Sequence, residues 1–137
     1  MTRRLIIFDW DGTLMDSQAK IIHAMQQAFA VQGLNLPSNN EVSSIIGLSL
    51  EEAVFRLAPD KAPRERIRLV SDYRKSFNDS DMDAALFAGT LDTLDFCKQR
   101  GFELAIATGK SHAGLMQALE ETGVESYFTC IRTADRC

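Results

Sequence analysis

The sequence predicts an α/β fold in which a parallel sheet is interrupted by a helical insert. Two short apolar runs, residues 5–8 and 102–107, have the continuous hydrophobicity of strands that are buried on both faces of a parallel sheet. Between them, residues 17 to about 80 show helical spacing and helix boundary signals without a strand pattern. An apolar strand, a helical insert and a return to alternating helices and strands together indicate a parallel sheet with crossover connections.

The insert is predicted to be entirely helical. Ser49 followed by Glu52 has the spacing of a capping box, in which each residue bonds the backbone of the other at a helix start. Gly33 and Gly47 follow helical patterns and mark two helix ends. The predicted helices cover residues 17–32, 41–46, 49–57 and 64–77.

After the insert, helices and strands alternate along the chain. Gly101 and Gly123 each follow a helical pattern and precede an apolar segment. We therefore expect a Rossmann-like parallel sheet core, incomplete in this chain, with an inserted all-helical domain. The core would comprise residues 1–15 and 84–137, and the insert residues 16–83. The predicted elements of the second part are a helix at 90–100, a strand at 102–107, a helix at 112–122 and a strand at 128–132.

The composition is that of a globular protein with a modest negative charge. Of 137 residues, 45% are hydrophobic and 25% are charged, and the net charge is -4. This charge gives no reason to expect nucleic acid or an anionic membrane as a partner. The cysteines, Cys97, Cys130 and Cys137, are few, odd in number and far apart, so we expect reduced thiols. No signal peptide or membrane-length apolar run is recognisable, and we expect a cytoplasmic protein.

Two aspartates stand two positions apart where the first apolar run ends. Residues at i and i+2 of an extended chain point to the same side, so Asp9 and Asp11 can share a site while Trp10 faces away. Like charges repel there unless a cation lies close, and Mg²⁺ with oxygen ligands would resolve the conflict. Gly12 allows a tight turn whose N–H groups can point at an anion. An ordinary Asp-Gly turn would give the same residues.

A second polar segment, ATGKS at residues 107–111, follows the second apolar run. Thr108 offers a hydroxyl, Gly109 an unobstructed N–H and Lys110 a positive charge. A predicted helix begins directly afterwards, and helix N-termini favour anions. The alternative is a glycine turn whose helix is capped by Ser111. Because ligands bind at the carboxyl ends of parallel strands, the second segment supports a binding site for a metal ion and an anion at the aspartate pair.

These segments give the sequence a resemblance to a known family. FDWDGTL resembles the DxDGT signature of the haloacid-dehalogenase-like hydrolases, in the branch that includes phosphoglycolate phosphatases and β-phosphoglucomutases. DGTLMDS, the helical insert, LFAGT and ATGKS follow one another in the order typical of that family. The resemblance spans essentially the whole chain. Dehalogenases of this superfamily lack the second aspartate, so Asp11 favours phosphoryl transfer.

The resemblance implies a Mg²⁺-dependent hydrolase of phosphomonoesters that acts on a small phosphorylated metabolite. Asp9 would be the nucleophile and become phosphorylated, while Asp11 would be the general acid and base; both would hold Mg²⁺, Asp11 through its backbone carbonyl. Thr108 and the Gly109 N–H would hold the transferring phosphoryl group. The insert would be a mobile cap. A sugar-phosphate mutase of the same family is the alternative. The other expected substrate-binding residues are Trp10, Gly12 and Lys110.

Two elements of the family pattern do not occur in the sequence. One is the lysine that follows the third strand, and the other is the acidic GDxxxD motif after a fourth strand. We therefore expect a C-terminally truncated phosphatase that is weakly active or inactive, or a non-catalytic fragment that binds phosphate. In the family topology the fourth strand lies beside the first. Residues 5–8 would then form an exposed sheet edge, through which we expect the chain to self-associate.

Overall fold

The computed structural model describes residues 4–136 of the chain. Its elements in chain order are β1 (Leu5–Phe8), β2 (Met15–Asp16), α1 (Gln18–Val31), α2 (Asn39–Ser44), α3 (Leu50–Leu57), α4 (Pro63–Asp79), β3 (Ala85–Leu86), α5 (Thr90–Gln99), β4 (Glu103–Ala107), α6 (His112–Thr122), a 3₁₀ turn (Glu125–Tyr127) and β5 (Phe128–Arg132).

The chain divides into two compact units. The first, which we call the α/β unit, consists of Met1–Asp16 and Ala85–Cys137. The second, which we call the helical unit, is Ser17–Ala84. The strands and the helices α5 and α6 belong to the α/β unit, and α1 to α4 belong to the helical unit. This arrangement confirms the predicted α/β fold class.

A parallel three-stranded sheet with the order β1-β4-β5 forms the α/β unit's centre. In β1 and β4, Phe8 lies opposite Ile106, and in β4 and β5, Ala107 lies opposite Arg132. The central strand β4 is the most deeply buried, because Leu104, Ala105 and Ile106 are all nearly inaccessible to solvent. Its continuous apolar sequence is therefore explained by packing on both faces of the sheet.

A short antiparallel pair, β2 and β3, was not predicted from the sequence. Met15 lies opposite Leu86, next to the places where the chain leaves for the helical unit and returns from it. The Leu14 C=O accepts a hydrogen bond from Phe87 N–H at 2.9 Å and another from Thr90 Oγ1 at 3.2 Å. Strands of two residues are too short to show a periodic pattern, which is why the sequence did not reveal them.

The helical unit has its own hydrophobic core. It combines buried residues from all four of its helices and the segments between them: Ile21, Met25, Ala28, Phe29, Val42, Ile45, Ala53, Val54, Ala58 and Leu69. The capping box predicted at Ser49 is only half formed. Ser49 accepts the Glu52 N–H, but the Glu52 carboxylate pairs with Arg56 at 3.2 Å. A complete capping box occurs instead at Ser38 and Glu41.

Two further features concern the described residues alone. No helix within residues 4–136 combines the length and the apolar character that crossing a membrane requires.

Cys97 is a buried free thiol and Cys130 a partly buried one, while Cys137 lies outside the described residues.

Strand β1 forms one edge of the sheet, and within residues 4–136 no strand pairs with its outer side. Glu103 N–H donates to Arg4 C=O at 2.9 Å, and bonding groups alternate along a parallel strand. The backbones of Leu5 and Ile7 consequently face away from β4. The two residues are 53% and 61% exposed, so this edge is both apolar and accessible. Such an edge is a template for pairing with another strand.

We therefore expect self-association through β1 to depend on Ile7. A lysine at this position should block it, because a charge on an edge strand opposes strand addition. Light scattering after size-exclusion chromatography should show a mass that rises with concentration for the wild type and stays monomeric for Ile7→Lys. The matched control is Ile67→Lys, which charges another exposed isoleucine, on helix α4, and should behave as the wild type does. A wild type that is monomeric at all concentrations would contradict the expectation.

Candidate active site

The pairing of β1 with β4 brings the two polar segments of the α/β unit to the same end of the sheet. The strands are parallel, and Phe8 at the end of β1 lies opposite Ile106 near the end of β4. Asp9 and Thr108 each lie just beyond the carboxyl end of a strand. Ligands of open parallel sheets bind at this edge. The site predicted from separate sequence motifs therefore forms one region of the α/β unit.

Trp10 anchors the loop that carries the aspartates. Its side chain is fully buried, as expected for a residue that faces away from the two carboxylates, and its indole N–H has no hydrogen-bond partner among the described residues. Its C=O accepts from three successive backbone N–H groups, those of Thr13, Leu14 and Met15, at 3.0–3.2 Å. Any contact of Trp10 with a substrate would have to be made by its backbone, and this role stays a prediction.

Gly12 occupies the position in this loop that requires a positive φ angle. Its φ is 81°, a conformation that glycine adopts without the steric cost of a Cβ. Its N–H donates to Met15 C=O at 2.9 Å and is therefore engaged inside the turn. The expectation that Gly12 donates to an anion stays a prediction.

Asp9 is a half-buried carboxylate in a setting that disfavours its charge. Burial raises its pKa above the ordinary value, and the nearby Asp11 carboxylate raises the pKa further. The Trp10 N–H acts in the opposite direction, since it donates to Asp9 Oδ1 at 2.7 Å. Oδ1 is thus held by the backbone of the next residue, which orients the carboxylate.

Asp11 faces a cation from the second polar segment. Its Oδ2 lies 3.7 Å from Lys110 Nζ, and the side chains of both residues are about 15% exposed, at 14% and 15%. An ion pair with so little solvent around it is screened less than a surface pair. The structure therefore brings Lys110 to the aspartate pair, a contact that sequence spacing could suggest but not establish.

The loop from Thr108 to Lys110 is held by hydrogen bonds on both sides. Lys110 N–H donates to Thr108 Oγ1 at 3.1 Å, which leaves the hydroxyl proton of Thr108 to be donated elsewhere. Thr108 N–H donates to Arg132 C=O at 3.0 Å, and Ala134 N–H donates to Lys110 C=O at 3.1 Å. Gly109 lies between the two anchored residues. Its role as an N–H donor to phosphate stays a prediction.

Asp135 is a residue of this region that the sequence analysis missed. Its Oδ1 accepts from His112 N–H at 2.8 Å and from Thr133 Oγ1 at 2.9 Å. Ser111 Oγ accepts from Gly114 N–H at 3.2 Å. The N-terminal N–H groups of α6, which the sequence suggested as anion donors, are thus partly used by the protein itself. No sequence signal marks Asp135, because its partner at position 112 is a backbone group.

The donors at the site suit a hard divalent cation. Asp9 and Asp11 present carboxylate oxygens, and their mutual repulsion contributes to the raised pKa of Asp9. A cation between them would remove that repulsion. Within residues 4–136, no cluster of three or more His, Cys, Asp or Glu side chains occurs that could hold a metal ion.

Comparisons with known proteins agree with this geometry. The family model described as haloacid dehalogenase-like hydrolase matches residues 6–137. The chain is 32% identical over 135 residues to the "Probable phosphatase IndB" of Dickeya dadantii (strain 3937), and the match covers 96% of this chain and 59% of that protein. It is 27% identical over 139 residues to the "Phosphoglycolate phosphatase" of Agrobacterium fabrum, covering 96% of this chain and 58% of that protein. The chain thus spans less than two thirds of these relatives' length.

A solved structure shows the same fold. The crystal structure of a "predicted phosphoglycolate phosphatase" from Haemophilus somnus 129PT superposes with a TM-score of 0.88 at 21% identity. The superposition covers 98% of this chain and 64% of that one.

Replacement of Asp9 by asparagine should raise the thermal midpoint of the metal-free protein by about 1–3 °C at pH 7. Asparagine keeps an oxygen for the Trp10 N–H but removes a charge that burial and Asp11 disfavour. Because the folded pKa is raised, the penalty is present above it and is lost as the pH falls toward the ordinary value of 3.8. Calorimetry from pH 7 downward should show the gap between variant and wild type closing.

The control for this measurement is Asp60→Asn, which neutralises an exposed aspartate of the helical unit. It should leave the midpoint nearly unchanged. A lower midpoint for Asp9→Asn at pH 7 would contradict the electrostatic account of the site.

Proposed function

Because the chain belongs to the haloacid dehalogenase-like hydrolase family, we propose that it is part of a Mg²⁺-dependent phosphatase. This enzyme would hydrolyse a small phosphomonoester through a phospho-aspartate. One observation carries the proposal. The aspartate pair and the Thr108–Lys110 loop meet at the carboxyl ends of two adjacent parallel strands. A nucleophile, an acid/base and donors for a phosphoryl group are thereby gathered in one place.

In the proposed first step, Asp9 Oδ2 attacks phosphorus and the bond from phosphorus to the ester oxygen breaks. The Trp10 N–H on Oδ1 supports this assignment, because it leaves Oδ2 as the oxygen free to attack. Asp11, in its protonated form, gives its proton to the departing alkoxide. The product alcohol leaves, and an acyl-phosphate remains on Asp9.

In the proposed second step, water attacks the phosphorus of the phospho-aspartate. Asp11, now a carboxylate, takes a proton from the water, and the bond between phosphorus and Asp9 Oδ2 breaks. Inorganic phosphate leaves and Asp11 is again protonated. The same aspartate thus acts as acid and then as base, which its position two residues from the nucleophile permits.

The Thr108–Lys110 loop would hold the transferring phosphoryl group. Thr108 has a hydroxyl proton to donate, since its oxygen already accepts the Lys110 N–H. Gly109 contributes an N–H with no side chain in the way, and Lys110 contributes positive charge near Asp11. Donors that are held in place before the reaction stabilise the charge that develops on the phosphoryl oxygens.

Asp9, through its carboxylate, and Asp11, through its backbone carbonyl, would hold Mg²⁺. When bound, the ion would balance the negative charge of the phosphoryl group and of Asp9. The proposed substrate class is a small phosphorylated metabolite, and the helical unit would be a cap that selects it. The name of the Agrobacterium fabrum relative makes phosphoglycolate the first ester to test.

The proposal predicts that Thr108→Val lowers kcat/KM by roughly 10²–10³-fold, whereas Thr108→Ser keeps most of the activity. Valine has the shape of threonine without the hydroxyl, and serine keeps the hydroxyl. Asp9→Asn should abolish turnover. Phosphate release from phosphoglycolate and a panel of sugar phosphates, measured with and without Mg²⁺, provides the readout.

Three results would change the proposed function. Turnover that survives Asp9→Asn would exclude Asp9 as the nucleophile. Phosphate binding that depends on Thr108, with no turnover of any ester, would identify this chain as a non-catalytic fragment that binds phosphate. Conversion of a sugar phosphate into its positional isomer, with the phosphoryl group returned to the sugar, would indicate the related mutase activity.

A further inference from the structure

We propose that Asp135 is a positioning residue that fixes the Thr108–Lys110 loop against the aspartate pair. Asp135 lies in a tight turn after β5, which Arg136 N–H closes by donating to Thr133 C=O at 3.2 Å. This turn, residues 133–136, belongs to none of the motifs that the sequence analysis identified. It nevertheless contacts the second polar segment through its backbone, at Lys110, and the first residue of α6 through the Asp135 side chain.

The first part of the contact is made by the Asp135 carboxylate. Oδ1 accepts from His112 N–H at 2.8 Å and from Thr133 Oγ1 at 2.9 Å. These bonds hold the pKa of Asp135 below its ordinary value, so the group is ionised at neutral pH. Thr133 is fully buried, which fixes one end of this connection in the interior of the α/β unit. The other end is the first residue of α6.

The second part of the contact is made by the backbone. Thr108 N–H donates to Arg132 C=O at 3.0 Å, and Ala134 N–H donates to Lys110 C=O at 3.1 Å. These bonds continue the pairing of β4 with β5 beyond the ends of both strands. Asp135 closes the series one residue later, by bonding position 112. The loop is thereby held at Thr108, at Lys110 and at the start of the following helix.

The consequence reaches the site through Lys110. Its backbone is held from both sides, by Thr108 Oγ1 and by Ala134 N–H, and its Nζ lies 3.7 Å from Asp11 Oδ2. A shift of the turn would displace the Lys110 backbone and alter this ion pair. It would also move the Thr108 hydroxyl that the proposed phosphatase would use. Small displacements of this kind have large effects on binding and catalysis.

Helix capping alone does not explain Asp135. Ser111 already occupies the N-cap position of α6 and accepts the Gly114 N–H at 3.2 Å. Asp135, unlike Ser111, lies in a different segment, the turn after β5. Its carboxylate also accepts a hydrogen bond from the Thr133 hydroxyl. Ser111→Ala therefore removes one acceptor from the same helix terminus but keeps the bond between the turn and His112. This makes it the matched control for Asp135→Ala.

The first test uses the ligand-free protein and does not depend on activity. Amide hydrogen exchange measured by NMR should become faster at Thr108, Lys110 and Ala134 in Asp135→Ala. Asparagine keeps an oxygen acceptor, so Asp135→Asn should restore the wild-type rates, and Ser111→Ala should leave them unchanged. Equal protection in Asp135→Ala and the wild type would overturn the inference, as would equal loss in Ser111→Ala.

The second test, whose catalytic meaning rests on the proposed function, measures binding of inorganic phosphate in the presence of Mg²⁺. Asp135→Ala should weaken binding by about tenfold or more, with rescue by Asp135→Asn. Full affinity in Asp135→Ala would overturn the inference. If the wild type itself fails to bind phosphate while the exchange rates change as expected, the proposed function fails and the positioning role of Asp135 is supported.

Discussion

The candidate site depends on one constraint, the parallel pairing of β1 with β4. In an antiparallel pair, the residues that follow the two strands would lie at opposite ends of the sheet. Parallel pairing with Phe8 opposite Ile106 places Asp9 and Thr108 at the same end. A parallel connection needs a long crossover, and this chain provides it with the helical unit and α5. The insert that interrupts the sequence is thus compatible with the topology that assembles the site.

Trp10 stabilises the loop that carries the charges of Asp9 and Asp11. Its buried side chain belongs to the interior of the α/β unit, while its N–H and C=O organise the residues on either side. The raised pKa of Asp9 shows that its charge is disfavoured in the folded protein. The buried Trp10 side chain thus helps to hold the Asp9 carboxylate in a position where its charge is disfavoured.

The sequence was sufficient for the parts of the fold that repeat a pattern. The apolar runs of β1 and β4, and the Gly123 that ends α6, have direct physical signals in the residues themselves. The β2–β3 pair was missed because each strand has two residues, and the capping box was misplaced because Glu52 has a competing partner in Arg56. A local pattern cannot show which of two partners a side chain will choose.

The same reasoning explains what could be predicted of the site. Asp9 and Asp11 are recognisable because both carboxylates and the spacing between them lie within one short segment. Asp135 is not, since its partners are a backbone N–H at position 112 and a threonine whose burial follows only from the folded chain. A motif can be recognised from its side chains. A residue that bonds the backbone of a distant segment, as Asp135 bonds the His112 N–H, leaves no such pattern in the sequence. In this protein, the backbone contacts of Lys110 fix the position of its main chain and so limit where its flexible side chain can place its charge.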